Sequence, residues 1–152
     1  MPIKSFRGKL TDGAQDTIVL HTNDGSTGYR IVKFDIIAAT PVTSGPAEHV
    51  VQIWKVKQDT PSTTTVDIDF SNNVLLAAAT WTGSDNPIYS NQQQVVFDNE
   101  IFNQDIYITH TNTDGDDAVN YYLELEQVKL SLDENTVATL KDIRNIESAK
   151  NK

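Results

Sequence analysis

Along the first 130 residues the apolar side chains recur at every second position. In the run Tyr29–Ala38, Val32, Phe34, Ile36 and Ala38 fall on one side, and Lys33 and Asp35 fall on the other. Val66, Ile68 and Phe70 alternate with Asp67 and Asp69, and Ile106 and Ile108 flank Tyr107. Tyr121, Leu123 and Leu125 alternate with Tyr122, Glu124 and Glu126. A period of two marks strands with one dry and one wet face, as in antiparallel sheets. Turn-forming clusters punctuate the pattern at Thr11-Asp-Gly13, Thr22-Asn-Asp-Gly-Ser-Thr-Gly28, Thr43-Ser-Gly-Pro46, Asp59-Thr-Pro-Ser62, Gly83-Ser-Asp-Asn-Pro87 and Asn112-Thr-Asp-Gly-Asp-Asp117. The pattern predicts strands near 3–9, 15–21, 29–39, 48–57, 65–70, 74–81, 93–98, 104–111 and 119–130. The expected fold is all-β: an antiparallel β-sandwich or jelly-roll-like domain of about 8–9 strands over residues 1–131. Residues 1–10 form its N-terminal arm or an edge strand.

The period changes after Ser131. Ser131-Leu-Asp-Glu134 is a capping box, in which a hydroxyl and a carboxylate three residues on each satisfy an orphan amide. Leu132, Val137, Leu140, Ile143 and Ile146 then fall within about half the circumference of a helix. The spacing predicts one amphipathic helix over 132–148, within a C-terminal segment 132–152.

Composition narrows the function classes. With no cysteine in 152 residues, a disulfide framework, cysteine-ligated metal and thiol catalysis are excluded. No apolar run approaches the length of a bilayer span, so no membrane partner is expected. Met1–Gly8 lacks the apolar stretch of a signal peptide, so synthesis in the cytoplasm is expected, with any exit by lysis or within a particle. The net charge is −9, and the segment after Leu132 is neutral, so the whole deficit lies on residues 1–132. Such a surface repels phosphate backbones, which argues against direct nucleic-acid binding. The arm carries Lys4, Arg7 and Lys9 with no acidic residue before Asp12. With Phe6 it forms one candidate docking surface, and the apolar stripe Val137, Leu140, Ile143 and Ile146 forms another.

Candidate chemistry is sparse. His21, His49 and His110 share no short spacing and are expected at strand positions on a wet face. No nucleophile elbow, phosphate loop or zinc motif occurs. Asn112–Asp117 offers alternating oxygen ligands for a cation such as Ca²⁺, but acidic residues around a glycine are also ordinary turn chemistry. No metal or cofactor is therefore assigned. Asp67 with Asp69, and Glu124 with Glu126, have the spacing of paired hydrolytic carboxylates, yet they alternate with apolar residues as solvent-facing charges do. No catalytic residue is assigned and a non-enzymatic protein is expected. Trp54 shares a face with Val50 and Val56 and is expected in the core, whereas Trp81 with Tyr89 is a candidate ligand patch of the kind that stacks on sugars.

Several stretches carry a resemblance. They are Gln15-Asp-Thr-Ile-Val-Leu-His-Thr-Asn23, Gly28-Tyr-Arg-Ile-Val-Lys33, Val96-Phe-Asp-Asn-Glu-Ile-Phe-Asn-Gln-Asp-Ile-Tyr107, Asn120-Tyr-Tyr-Leu-Glu-Leu-Glu-Gln127 and Glu134-Asn-Thr-Val-Ala-Thr-Leu-Lys-Asp-Ile-Arg-Asn145. Together they resemble virion structural proteins of marine tailed phages, especially those of cyanobacteria. The likeness lies in overall texture, not in a catalytic signature. It implies a small β-rich module of the particle: a capsid decoration or cement protein, or a tail, neck or head-fibre component. It implies the major capsid protein or other virion proteins as partners, and a homo-oligomer such as a trimer on the particle. A carbohydrate-binding receptor module is the alternative from another class.

Overall fold

A computed structural model describes residues 2–40, 47–59, 67–83, 91–114, 117–131 and 139. The strands are β1 (Ile3–Leu10), β2 (Gln15–Ile18), β3 (Thr27–Ala38), β4 (Ala47–Trp54), β5 (Leu75–Gly83), β6 (Asn91–Val96), β7 (Ile106–Asn112) and β8 (Val119–Lys129). They form two antiparallel sheets, one of three strands in the order β1-β8-β3 and one of five in the order β2-β7-β4-β5-β6. The inner faces meet in one core. Ile31, Phe34, Ile36, Leu123 and Leu125 come from the smaller sheet, and Val51, Ile53, Ala77, Ile106 and Ile108 from the larger. Each fully buried large side chain contributes about 1.5–3 kcal/mol by leaving water. A polar contact also crosses the core, where the Tyr121 hydroxyl on β8 donates to the Asp16 carboxylate on β2 at 2.9 Å.

Most of the expected strands are present, but the expected strand 65–70 is not seen over its described residues. Its described part, 67–70, is irregular, and Ile68 and Phe70 are exposed. The Asp69 carboxylate instead accepts from the amide and hydroxyl of Ser71 at 3.0 and 2.6 Å, which closes a turn. The described strands therefore number eight.

A second departure lies inside β3. The register against β8 slips between Ile31 and Lys33. Val32 is the extra residue of this β-bulge and is exposed, while Ile31 is buried. The expected face Val32–Phe34–Ile36–Ala38 is thus Ile31–Phe34–Ile36–Ala38. One inserted residue reverses the parity of everything on one side of it.

The central strands of the larger sheet are buried on both faces. On the outer face, Trp54 packs with Val56 and Val74 of the β4–β5 connection, with Leu75 and with Phe97. Trp54 is thus buried as expected, but beneath a loop and not between the sheets. Its indole N–H donates to the Thr109 hydroxyl at 2.9 Å.

The helix expected over 132–148 lies, apart from Thr139, outside the described residues, and no helix is among the described elements. The Thr139 hydroxyl accepts a hydrogen bond from the buried Asn103 amide at 2.8 Å.

Candidate interaction surfaces and a buried histidine pair

β1 is the residue-by-residue partner of β8 from Ile3↔Glu126 to Leu10↔Val119, and it ends its sheet. Alternation divides the basic arm between two faces. Lys4 lies on the side of Phe6 and Leu10, with its ammonium 5.7 Å from the centre of the Tyr29 ring. Phe6 packs half-buried against the core. Arg7 and Lys9 lie on the outer side, opposite Tyr122 and Asn120.

That outer side is a lattice of cross-strand charges. Arg30 of β3 bonds Glu126 of β8 at 2.8 Å. Glu124 accepts the Tyr122 hydroxyl at 2.7 Å, and the Lys33 ammonium stands 5.7 Å from the Tyr122 ring centre. The pair Glu124 and Glu126 is thus committed to neighbours on a solvated face. Asp69 is committed to its turn.

Trp81 lies on β5 opposite His49 and Gln92 and packs partly buried against the core. Tyr89 is outside the described residues, as are Val137, Leu140, Ile143 and Ile146. In the acidic loop, the Asn112 side chain accepts the amides of Glu48 and Asp114 at 3.0 and 3.2 Å. The Asn112 backbone amide donates to the Asp12 carboxylate at 2.8 Å. These oxygens serve the turn, and among the described residues no three histidine or acidic side chains are gathered as a metal site.

Two of the three histidines overturn the expectation of a wet face. His49 and His110 are fully buried on the inner side of the larger sheet. They stand on β4 and β7 in diagonal register, with His49 Nδ1 and His110 Nε2 2.8 Å apart. His110 Nδ1 is 3.0 Å from the Thr11 carbonyl. The carbonyl can only accept, so His110 carries its proton on Nδ1 and presents Nε2 to the proton on His49 Nδ1. His49 Nε2 is then a buried acceptor without a partner among the described residues. Burial, then the neighbouring His110, pushes the His49 pKa down to about 4. Burial also lowers that of His110, against the pull of the Thr11 carbonyl. Parity held the clue: His49 shares the parity, and so the face, of Val51 and Ile53, and His110 that of Ile106 and Ile108.

His21 is exposed and its ring nitrogen lies 2.7 Å from Asp105. Burial alone would raise the Asp105 pKa, but bonds from the His21 ring and the amides of Leu20 and His21 hold it below the usual range.

A cleft of about 340 Å³ opens at the far end of the larger sheet, between the turn leading into β5 and the turn leaving β6. Phe70, Asn73, Phe97, Asp98, Asn99 and Glu100 are among its walls. Phe70 stands edge-on to Phe97 with ring centres 5.4 Å apart. Hydrogen bonds brace both turns: Asn72 Oδ1 accepts from Val74, and the Glu100 amide donates to Phe97. The buried Lys55 ammonium reaches Glu100 at 3.1 Å.

No family model and no curated protein matches the chain. Among solved structures it is similar to a Bacillus endospore appendage protein of a family of disulfide-linked pili, at 12% identity and TM-score 0.35, over 86% of this chain and 88% of that one. It is also similar to the Drosophila NLP core, described for pentamer formation and histone binding, at 12% identity and TM-score 0.38, over 84% of this chain and 100% of that one. A third likeness is to the virus-like particle of the Macrobrachium rosenbergii extra small virus, at 12% identity and TM-score 0.30, over 78% of each chain.

Proposed function

We propose that the chain is a non-enzymatic structural module of a tailed-phage particle, in the role of a capsid decoration protein that binds the shell non-covalently. The observation that carries the docking mode is the open edge of β1. Among the described strands β1 pairs only with β8, which leaves one side of its backbone for a neighbour. Lys4, Arg7 and Lys9 line this edge of an acidic molecule. Basic edges repel one another, so two copies do not join through β1. An acidic strand or loop of a capsid subunit meets both the backbone groups and the charges. The resemblance supplies the particle; four of its five stretches lie on β2, β3, the β6–β7 segment and β8, so they span both sheets, and the fifth, 134–145, lies outside the described residues apart from Thr139. Many copies, each with a modest interface, together oppose expansion of the shell.

Particles lacking the chain, mixed with purified protein, test this reading. Wild-type protein is expected to bind in high copy. Reversal at Lys4, Arg7 and Lys9 to glutamate is expected to abolish binding, with the loss steepest at low salt. Unchanged binding by the reversed variant removes β1 from the interface. A density map of the particle fixes the location: a handful of copies at the neck or tail would replace the decoration role with a tail, neck or fibre role.

A further inference from the structure

We propose that the cleft between the β4–β5 connection and the β6–β7 connection is a binding site for neutral saccharides. The proposal concerns a different surface from β1 and does not depend on where the module sits. The cleft volume of about 340 Å³ suits a small ligand. One wall carries Phe70, 55% exposed in spite of its size. A ring held edge-on by Phe97 presents an open face of fixed orientation. The C–H face of a pyranose covers such a ring without requiring charge. Opposite and beside it stand Asn73, Asn99 and Asp98, all exposed. No hydrogen bond engages these three side chains among the described residues, although the Asp98 backbone carbonyl accepts from Arg30 at 3.3 Å. Two free amides, each both donor and acceptor, and one free carboxylate match the paired hydroxyls of a sugar.

The charge selects among glycans. Asp98 and Glu100 both line the cleft; Glu100 pairs with the Lys55 ammonium, while the Arg30 guanidinium, which reaches the Asp98 backbone carbonyl, is paired with Glu126 and not with the Asp98 carboxylate. The chain as a whole carries −9. Sulfated and sialylated sugars are therefore disfavoured and neutral ones admitted. The site is also preformed. The Asp69 and Asn72 side chains lock one turn and the Lys55–Glu100 pair secures the other, so binding orders little. The expected patch of Trp81 and Tyr89 is displaced in this proposal to the opposite end of β5.

The test is titration of the isotope-labelled full chain with maltotriose, cellotriose, mannobiose and chitobiose, with sialyllactose and a sulfated lactose as anionic probes. At least one neutral probe is expected to shift the amide signals of residues 70–73 and 97–100. Phe70→Ala is expected to weaken that binding about tenfold or more and Phe70→Trp to retain it. Asn99→Ala, far from the core, reads the same site if Phe70→Ala disturbs the fold. The proposal falls if no neutral probe shifts signals at tens of millimolar, if the shifts map to Trp81 instead, if both alanine variants bind as wild type does, or if the anionic probes bind more tightly.

Discussion

At the scale of single residues, the histidine pair shows how packing sets chemistry. His49 and His110 must stay neutral to share one proton line ending on the Thr11 carbonyl. The unfolded chain titrates its histidines near the ordinary value of 6.5, whereas folded His49 takes a proton only near pH 4. The unfolded state therefore binds more protons between these values, and stability falls as pH falls through that window. The negative charges of Asp117 and Asp12 on His49, and of Asp12 on His110, soften the effect by favouring the charged form. Denaturant melts at pH 7.5, 6 and 5 are expected to show a progressive loss of about 2–3 kcal/mol toward pH 4. In His49→Gln this slope is expected to flatten; an unchanged slope would assign the titration to other groups. Gly8 is a second decisive residue. A Cβ there would stand 2.7 Å from the Tyr121 hydroxyl and 2.8 Å from its ring. Gly8→Ala is expected to displace Tyr121 from Asp16 and lower stability by about 1–3 kcal/mol, read by the melting temperature.

At the scale of elements, period-two alternation located most strands and missed where alternation is interrupted. Around the bulge, Ile31 and Val32 are equally apolar, and nothing local says which faces inward. The partner strand decides, because β8 offers an unbroken row of Tyr121, Leu123 and Leu125 to be matched. Ile31→Ala is expected to cost about 2–4 kcal/mol and Val32→Ala under about 0.5 kcal/mol, measured by chemical denaturation. Equal costs would mean that the register is the uninterrupted one. The alternation at 66–70 has the right form for a strand, yet the Asp69 side chain gives Ser71 the bonds of a turn, and Phe70 faces solvent beside the cleft. Side-chain capping there competes with the ladder and prevails.

At the scale of the whole molecule, the two sheets present four edge strands among the described ones, β1, β3, β2 and β6, and each must avoid indiscriminate pairing. β1 carries its basic residues; β6 is polar at Asn91, Gln92, Gln93 and Gln94, and all four are exposed. If charge guards β1, threonine at Lys4, Arg7 and Lys9 together is expected to promote self-association in light scattering, where wild-type protein stays unassociated through this edge. Absence of any change would show that geometry alone protects it.

Sequence alone determined the all-β class, the approximate strand positions, the acidic surface and the lack of cysteine chemistry, because alternation and composition are local properties. Only the tertiary structure decided which parity faces inward at a bulge, that a loop covers Trp54 and that two distant histidines share a proton. It also split the basic arm across two faces of an edge strand and brought residues 70–73 together with 97–100 into one cleft. These depend on which strands become neighbours, and pairing between residues far apart in the chain is settled by the summed burial of two faces, which no local pattern records.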